Sequence, residues 1–256
     1  MPPQPAARKP RRVRADLLLV ERGLAASRSQ AQLLLRAGQV FSGDARDARV
    51  ETPGQMVAAD TPLRLAERRR YVGRGGEKLA GALAAFDFDV TGKTALDIGA
   101  STGGFTDCLL QAGAIRAYAI DVGRAQLAER LRSDPRVVSM EQTNARQPFE
   151  LPEAVDILVA DVSFISLRLV LPPAFAHLRG GGHALVLVKP QFEAGRGAVG
   201  RGGVVKDPKT HADVVGAFCL WAIESGRRLR LLGVRRSVLA GDNGNREYFV
   251  LLHQDT

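Results

Sequence analysis

The chain has 256 residues, of which 45% are hydrophobic, 25% charged and 5% aromatic. That globular composition excludes disordered, collagenous and disulfide-stapled classes, and the length suits one large domain or two modest ones. The formal net charge is +9, and it is unevenly spread.

Residues 1–76 carry 15 Lys/Arg against 7 Asp/Glu, and residues 77–256 carry 21 against 20. A basic N-terminal third beside a neutral remainder points to a module for a polyanion, with nucleic acid ahead of a membrane surface because no segment pairs the charge with a broad apolar face. The apolar runs Leu17–Val20 and Ala184–Val188 fall far short of the roughly 18 residues a membrane-spanning helix needs. The start, MPPQPAARKPRRVRADLLLV, has the basic region of an export signal but an apolar run of only four residues, so a cytoplasmic protein is expected. Cys108 and Cys219 are too few for a disulfide framework, and neither they nor His177, His183, His211 and His253 have metal-ligand spacing. No metal and no membrane partner are expected.

In chain order, residues 1–13 are Pro-, Ala- and Arg-rich without an acidic residue and read as a disordered basic arm. Two short helices follow, Asp16–Arg22 ending at Gly23, and a second capped by Ser27 and closed by Gly38. Ala31, Leu34, Leu35 and Gly38 share a face of the second, leaving Arg28, Gln32 and Arg36 on a cationic one. Val40–Ser42 and Leu63–Leu65 read as strands between Gly/Pro turns. The segment VRADLLLVERGLAASRSQAQLLLRAGQVFSGD resembles an S4 domain, a small RNA-binding fold, through Gly23-Leu24, Ser27-Arg28, Gln30-Ala31, Gly38 and Val40. A basic connector, ERRRYVGRGG, spans 67–76.

Beyond it, apolar runs at 94–98, 117–120, 137–140, 156–160, 183–188, 231–238 and 248–252 alternate with helical stretches near 77–86, 104–112, 124–132, 167–177 and 209–225. Such alternation argues for a doubly wound α/β sheet, its last two strands forming an antiparallel hairpin at one edge. The run ALDIGASTGGFTD places Asp97 at a strand end and Gly99, Ser101, Thr102, Gly103, Gly104 and Phe105 in the turn and the helix start. Glycines allow close backbone approach to a ligand, and a helix start offers free amides. Asp121, 22 residues past Gly99, ends the next strand where a carboxylate accepts bonds from ribose hydroxyls. A dinucleotide or S-adenosylmethionine fits that pair; Asp97 ahead of the glycines suits a cationic amino-acid end better than a pyrophosphate. A P-loop is excluded by the missing Gly-Lys-Ser/Thr.

The chain has 30 Arg and only 6 Lys. Lysine, unlike arginine, is able to lose its proton. Lys189 closes HALVLVK and Asp161 closes DILVAD, both carboxyl-end positions that face the ligand crevice in α/β sheets.

Residues 71–252 resemble the TlyA (hemolysin A) family, which joins an S4 domain to an FtsJ/RrmJ-like methyltransferase. The matching segments are GRGGEKL, LDIGASTGGFTD, DVG, DPRVV, TNAR, VADVSFISL, LVKPQFE and GNREYF. The resemblance implies a Rossmann-like class I S-adenosylmethionine-dependent methyltransferase domain at 77–256, with a seven-stranded, mostly parallel sheet, preceded by an S4-like α+β domain at 14–66. It implies S-adenosylmethionine as cofactor, Asn144 near the adenine, and a Lys-Asp-Lys-Glu tetrad at Lys78, Asp161, Lys189 and Glu247. A ribose 2′-hydroxyl must lose a proton as it attacks, so Lys189 is expected as base, with Lys78 and Asp161 its partners and Glu247 an orienter. Two neighbouring ammonium groups disfavour each other's charge, and two carboxylates restrain that effect. Arg14, Arg28, Arg36, Arg68, Arg69, Arg70 and Arg74 are the expected RNA contacts.

The implied partner is ribosomal RNA or ribosomal subunits, met by a monomer, with cytidine as target in 23S and also 16S RNA. The chain ends at Thr256, without the C-terminal extension of longer members, which sets the large subunit ahead. Open beside this are a methyltransferase of another RNA, a non-catalytic RNA-binding protein and, least favoured, a membrane-active toxin. The Gly-rich segment 192–208 reads equally as a loop closing on RNA or a plain surface loop. Phe164 and Tyr71 read as stacking or packing aromatics, and Trp221 as helix packing.

Overall fold

The computed structural model describes residues 11–43, 48–65, 70–195, 197, 199–200, 202–241 and 244–256. The chain divides into two compact units, residues 1–68 and 69–256. The first begins with strand β1 (Arg12–Arg14) and helices α1 (Ala15–Glu21) and α2 (Arg28–Arg36), followed by four short strands, β2 (Val40–Ser42), β3 (Ala48–Arg49), β4 (Met56–Ala58) and β5 (Leu63–Leu65). β1 pairs antiparallel with β4, and β2 pairs antiparallel with both β3 and β5. The disordered arm is therefore corrected at its end: Arg12 and Val13 belong to β1, because the facing strand, unseen in the sequence pattern, completes their ladder. Residues 1–10 lie outside the described part.

Ser27 caps α2 as expected, its Oγ accepting from the Gln30 amide at 3.2 Å, and Gly38 follows with φ +64°, the left-handed turn that ends a helix. Ala15, Leu18, Leu19, Ala31, Leu35 and Val40 form the small core. Beside them Asp16 is fully buried and accepts from Arg14 (3.0 and 2.9 Å), Arg28 (3.0 Å) and Gln32 (3.2 Å). The Arg14 guanidinium above all holds its carboxyl well below the usual range.

The second unit opens with α3 (Arg74–Ala85), so the last three residues of the expected 67–76 linker are a helical turn. Next come β6 (Thr94–Ile98), α4 (Gly104–Gln111), β7 (Arg116–Asp121), α5 (Glu129–Arg132), β8 (Val137–Glu141), β9 (Val155–Ala160) and α6 (Leu167–Phe175). The chain closes with β10 (Leu178–Val188), α7 (Pro190–Glu193), α8 (Pro208–Glu224), β11 (Leu229–Arg236) and β12 (Tyr248–Gln254). The seven-stranded sheet has the order β11-β12-β10-β9-β6-β7-β8. Pairing from β10 to β8 is parallel; β12 runs antiparallel to both its neighbours. The mostly parallel α/β sheet and its edge hairpin are thus as the alternation predicts.

Alternate residues of a strand feed opposite faces. On β10, Ala184, Val186 and Val188 join one core with Ile98, Ile120 and Phe175, while Leu185 and Leu187 join a second with Leu79, Phe105 and Phe249. Burial on both faces explains why these strands read as unbroken apolar runs.

Two expectations change. The helix near 124–132 shrinks to Glu129–Arg132, because Ala125 adopts φ +52°, outside the helical region, in a turn held by the Glu141 carboxylate through the amides of Ala125, Gln126 and Leu127. β10 starts at Leu178, well before His183, running through Gly180–Gly182 with a register shift; side-chain periodicity cannot reveal a strand built on glycines.

Phe249 is fully buried near the start of β12, its ring centroid 6.0 Å from that of Phe105. Phe249→Ala is expected to destabilise the second unit by about 3–5 kcal/mol, read as a lowered urea midpoint in that unit's unfolding transition.

Candidate active site

The chemistry-bearing residues gather at the carboxyl ends of the parallel strands, Asp97 and Asp121 within the last two residues of β6 and β7, and Asp161 and Lys189 just past β9 and β10. After β6, Gly99 adopts φ +81°, and a Cβ there would lie 2.7 Å from the Asp161 carbonyl oxygen, so only glycine fits between these strand ends. Gly103, at φ +93°, caps α4, and a Cβ on it would strike Leu127 and Leu131. Its part is to shape the turn, whereas Ser101, Thr102, Gly104 and Phe105 line the crevice itself.

Asp97 lies beneath the turn, fully buried. Its Oδ2 accepts from the Thr106 amide (2.9 Å) and hydroxyl (2.7 Å), while Oδ1 is buried without a hydrogen-bond partner among the described residues. Burial pushes its carboxyl up to about 7, against the Thr106 hydrogen bonds that favour the ionised form. Asp121 accepts from the amides of Ser101 (2.8 Å) and Gly123 (2.7 Å).

Three cavities adjoin above these residues. The largest, about 560 Å³, is lined by Gly99, Ser101, Asp121, Gln126, Asn144, Asp161 and Phe164. A second of about 220 Å³ shares Gly99, Ser101, Asp161 and Ser163 with it and adds Arg74, Thr102, Phe105, Lys78 and Lys189. The third, about 340 Å³, shares Lys78, Ser163 and Lys189 with the second and adds Phe164, Gln191, Phe192, Asn245 and Glu247.

Lys78, Asp161, Lys189 and Glu247 meet here as two ion pairs. Lys189 Nζ lies 2.6 Å from Asp161 Oδ1 and donates to Ser163 Oγ at 2.9 Å. Lys78 Nζ lies 2.6 Å from Glu247 Oε2. Both lysines and Glu247 are over nine-tenths buried. Removing one member would strand a charge out of water, a change that costs about 3–5 kcal/mol.

A family model for FtsJ-like methyltransferases matches residues 71–254, which takes in the glycine turn, both ion pairs and every strand of the sheet. The chain belongs to the FtsJ-like methyltransferase family. It is 47% identical over 248 residues to the 16S/23S rRNA (cytidine-2′-O)-methyltransferase TlyA of Mycobacterium tuberculosis, covering 96% of this chain and 91% of that protein. It is 46% identical to "Putative rRNA methyltransferase YqxC" of Bacillus subtilis, covering 94% of this chain and 85% of that protein. Among solved structures, "Putative hemolysin from Streptococcus thermophilus" superposes with a TM-score of 0.71 at 40% identity, covering 96% of this chain and 89% of that one.

This FtsJ-like chain is a methyltransferase, and S-adenosylmethionine is its cofactor. The residues fit that group: the orphaned Asp97 Oδ1 suits an ammonium, and Gly99 and Ser101 of the turn line both adjoining cavities. Asp121 and Asn144 face the largest cavity, where an adenosine would lie. Among the described residues, no group of three or more His, Cys, Asp or Glu side chains is placed to hold a metal ion, and no helix is long and apolar enough to cross a membrane.

Of the expected RNA contacts, Arg14 and Arg28 share Asp16, Arg36 and Arg70 are exposed, and Arg74 donates to the Ala240 carbonyl at 3.0 Å while lining the second cavity. Arg68 and Arg69 lie outside the described residues. Phe164 is 90% exposed at φ +63°, its ring centroid 5.1 Å from that of Phe192. Tyr71 is core packing, and Trp221 packs against Phe218 and Arg168.

Three residues of the site escape sequence reasoning: Ser163, Gln191 and Asn245. Each is polar and sits within three residues of a tetrad member in the runs DVSF, KPQ and NRE, and that proximity was the available signal. Asn245 holds the described part of the Gly-rich segment, accepting from the Val205 amide at 3.1 Å and donating to the Gly203 carbonyl at 2.9 Å. His211 Nε2 donates to the Val205 carbonyl at 2.9 Å.

The raised Asp97 carboxyl predicts a pH effect. Its folded value, about 7, exceeds the model-peptide value of 3.8, so the stability it contributes is full below that lower value and is lost as pH rises through about 7. A cationic amino group beside Oδ1 favours the ionised form, so cofactor binding at pH 6 is expected to release a proton from Asp97. Calorimetry in buffers of different ionisation enthalpy checks this; in Asp97→Asn the release should vanish and affinity fall.

Proposed function

We propose that this chain methylates the ribose 2′-hydroxyl of a cytidine in ribosomal RNA, in 23S RNA first and in 16S RNA as a second substrate, acting as a cytoplasmic monomer. In this reading the first unit is an S4-like RNA-binding domain whose basic residues, Arg14, Arg28 and Arg36 among them, hold phosphates. The observation that carries it is the pair of buried lysine–carboxylate contacts sharing two cavities beside the glycine turn. That arrangement supplies a proton acceptor where a hydroxyl would meet the cofactor. The relatives that are 46–47% identical carry names of ribosomal RNA methyltransferases, which supports the substrate class.

When bound, S-adenosylmethionine supplies an electrophilic methyl group on a sulfonium. The chain's own residues do the rest. Asp97 and the turn at Gly99 orient the amino-acid end, and Asp121 the ribose. Lys189 Nζ would accept the 2′-hydroxyl proton as the oxygen takes the methyl group, with the thioether S-adenosylhomocysteine as leaving group. Asp161 and Ser163 fix the direction of that nitrogen, and Glu247 holds Lys78 against the same hydroxyl. General-base assistance of this kind is worth about 10²–10⁴ in rate, and alignment of the reactants supplies much of the remainder.

Lys189→Ala is therefore expected to lower methyl transfer by about 100-fold or more while cofactor affinity, measured by calorimetry, stays near that of the parent. Retained turnover would sink the assignment of the base. The substrate is tested with radiolabelled S-adenosylmethionine and ribosomal subunits from a strain lacking the enzyme. Label in an alkali-resistant dinucleotide containing cytidine is the expected result. No label on either subunit, with cofactor bound, turns the reading toward another RNA or a non-catalytic RNA-binding protein.

A further inference from the structure

The segment between β7 and α5 has helical residues but no helical structure, and its conformation is imposed from β8. The two oxygens of Glu141, the last residue of that strand, accept from three consecutive amides: Ala125 at 2.8 Å, Gln126 at 2.7 Å and Leu127 at 3.0 Å. Ala125 adopts φ +52°, so the backbone turns its amides inward as a nest of the kind that binds anions. Here the anion is the chain's own carboxylate, and those three hydrogen bonds, Leu127's above all, hold it below the ordinary glutamate range.

The captured segment touches the cofactor crevice from two directions. Gln126 lines the large cavity together with Asn144. Leu127 packs where a side chain on Gly103 would stand, and the next amide, Ala128, donates to the Thr102 carbonyl at 3.1 Å. One carboxylate thus sets the adenosine wall and braces the glycine turn at once. β8 is itself tied to the Asp121 turn, since the Gln142 and Thr143 amides donate to the Gly123 and Asp121 carbonyls, both at 3.0 Å.

We infer that Glu141 is a positioning residue for the cofactor: by filling the 125–127 amide nest it fixes Gln126 and the Gly103 turn in the form that binds the adenosine moiety. Glu141 lines none of the three cavities and acts through the amides. The inference depends only on the cofactor, so it stands or falls separately from the ribosomal RNA reading.

The test uses the full chain with Glu141→Gln, which keeps the shape of the side chain but replaces one accepting oxygen with a donor. Calorimetry with S-adenosylmethionine and S-adenosylhomocysteine as probes is expected to show both dissociation constants raised about tenfold, the loss of roughly one charge-assisted hydrogen bond. Methyl transfer at saturating cofactor should stay within about twofold, the signature of lost binding and not of lost chemistry. Hydrogen exchange at the 125–127 amides should quicken. Unchanged dissociation constants overturn the inference, whether or not exchange quickens. A loss confined to S-adenosylmethionine also overturns it, because the two probes share their adenosine. Glu141→Asp retains the charge but withdraws it by one methylene, and serves if the glutamine variant does not fold. Several-fold weaker binding of both probes is then expected, and parental affinity would overturn the inference.

Discussion

Parallel pairing in register at the middle of the sheet is the constraint on which the rest of the methyltransferase unit depends. Ile98 and Val186 both lie opposite Ala160, and Val188 lies opposite Tyr248. Gly99 and Asp161 therefore leave the sheet side by side, as do Lys189 and Glu247. Both faces of these strands are buried in apolar clusters, so a one-residue slip would turn every side chain to the wrong face. The register that packs the core is the register that assembles the site.

Carboxylates organise much of what surrounds that level, and their partners divide them by role. Asp16 and Asp107 are buried against arginines. Asp107 also accepts from the Val72 amide at 2.8 Å, which ties the segment ahead of α3 to α4. Asp121 and Glu141 accept from backbone amides and shape turns. Asp161 and Glu247 face ammonium groups. Asp97 Oδ1 and Asp161 Oδ1 are both buried without a hydrogen bond among the described residues, but Lys189 Nζ lies 2.6 Å from the second, which leaves Asp97 as the acid suited to a further cation. In a chain of net charge +9, so many acids spent internally leave the exposed cations for a polyanion.

The strand ends of the methyltransferase unit were legible because two-faced burial writes each strand as an apolar run, and because Asp97, Asp121, Asp161 and Lys189 stand where such runs stop. Helix α2 was legible from its cap and its glycine stop. Less of the first unit could be read: β2 and β5 stand between Gly/Pro turns, whereas β1 runs straight into α1 and meets its partner β4 only through the fold. The stretch 124–128 misled for a different reason. Its residues favour a helix locally, but the acceptor that takes its amides lies on another strand. Local preference is a weak prior against such a bond.

The expected tetrad shows the same division. Its four residues are recognisable from the segments that carry them, yet the sequence-based expectation joined Lys189 to both Lys78 and Asp161, whereas the fold pairs Lys189 with Asp161 and Lys78 with Glu247. Composition, patterning and motif spacing by themselves determined a doubly wound α/β sheet, a glycine turn with its flanking acids and a basic N-terminal unit, because each is written in neighbouring residues. Only tertiary structure decided which lysine meets which carboxylate, that Ser163 and Asn245 line the same cavity as the two lysines, and that Glu141 accepts from the amides of residues 125–127. Those contacts join residues up to 169 positions apart, and they exist only once burial of both sheet faces has fixed the register.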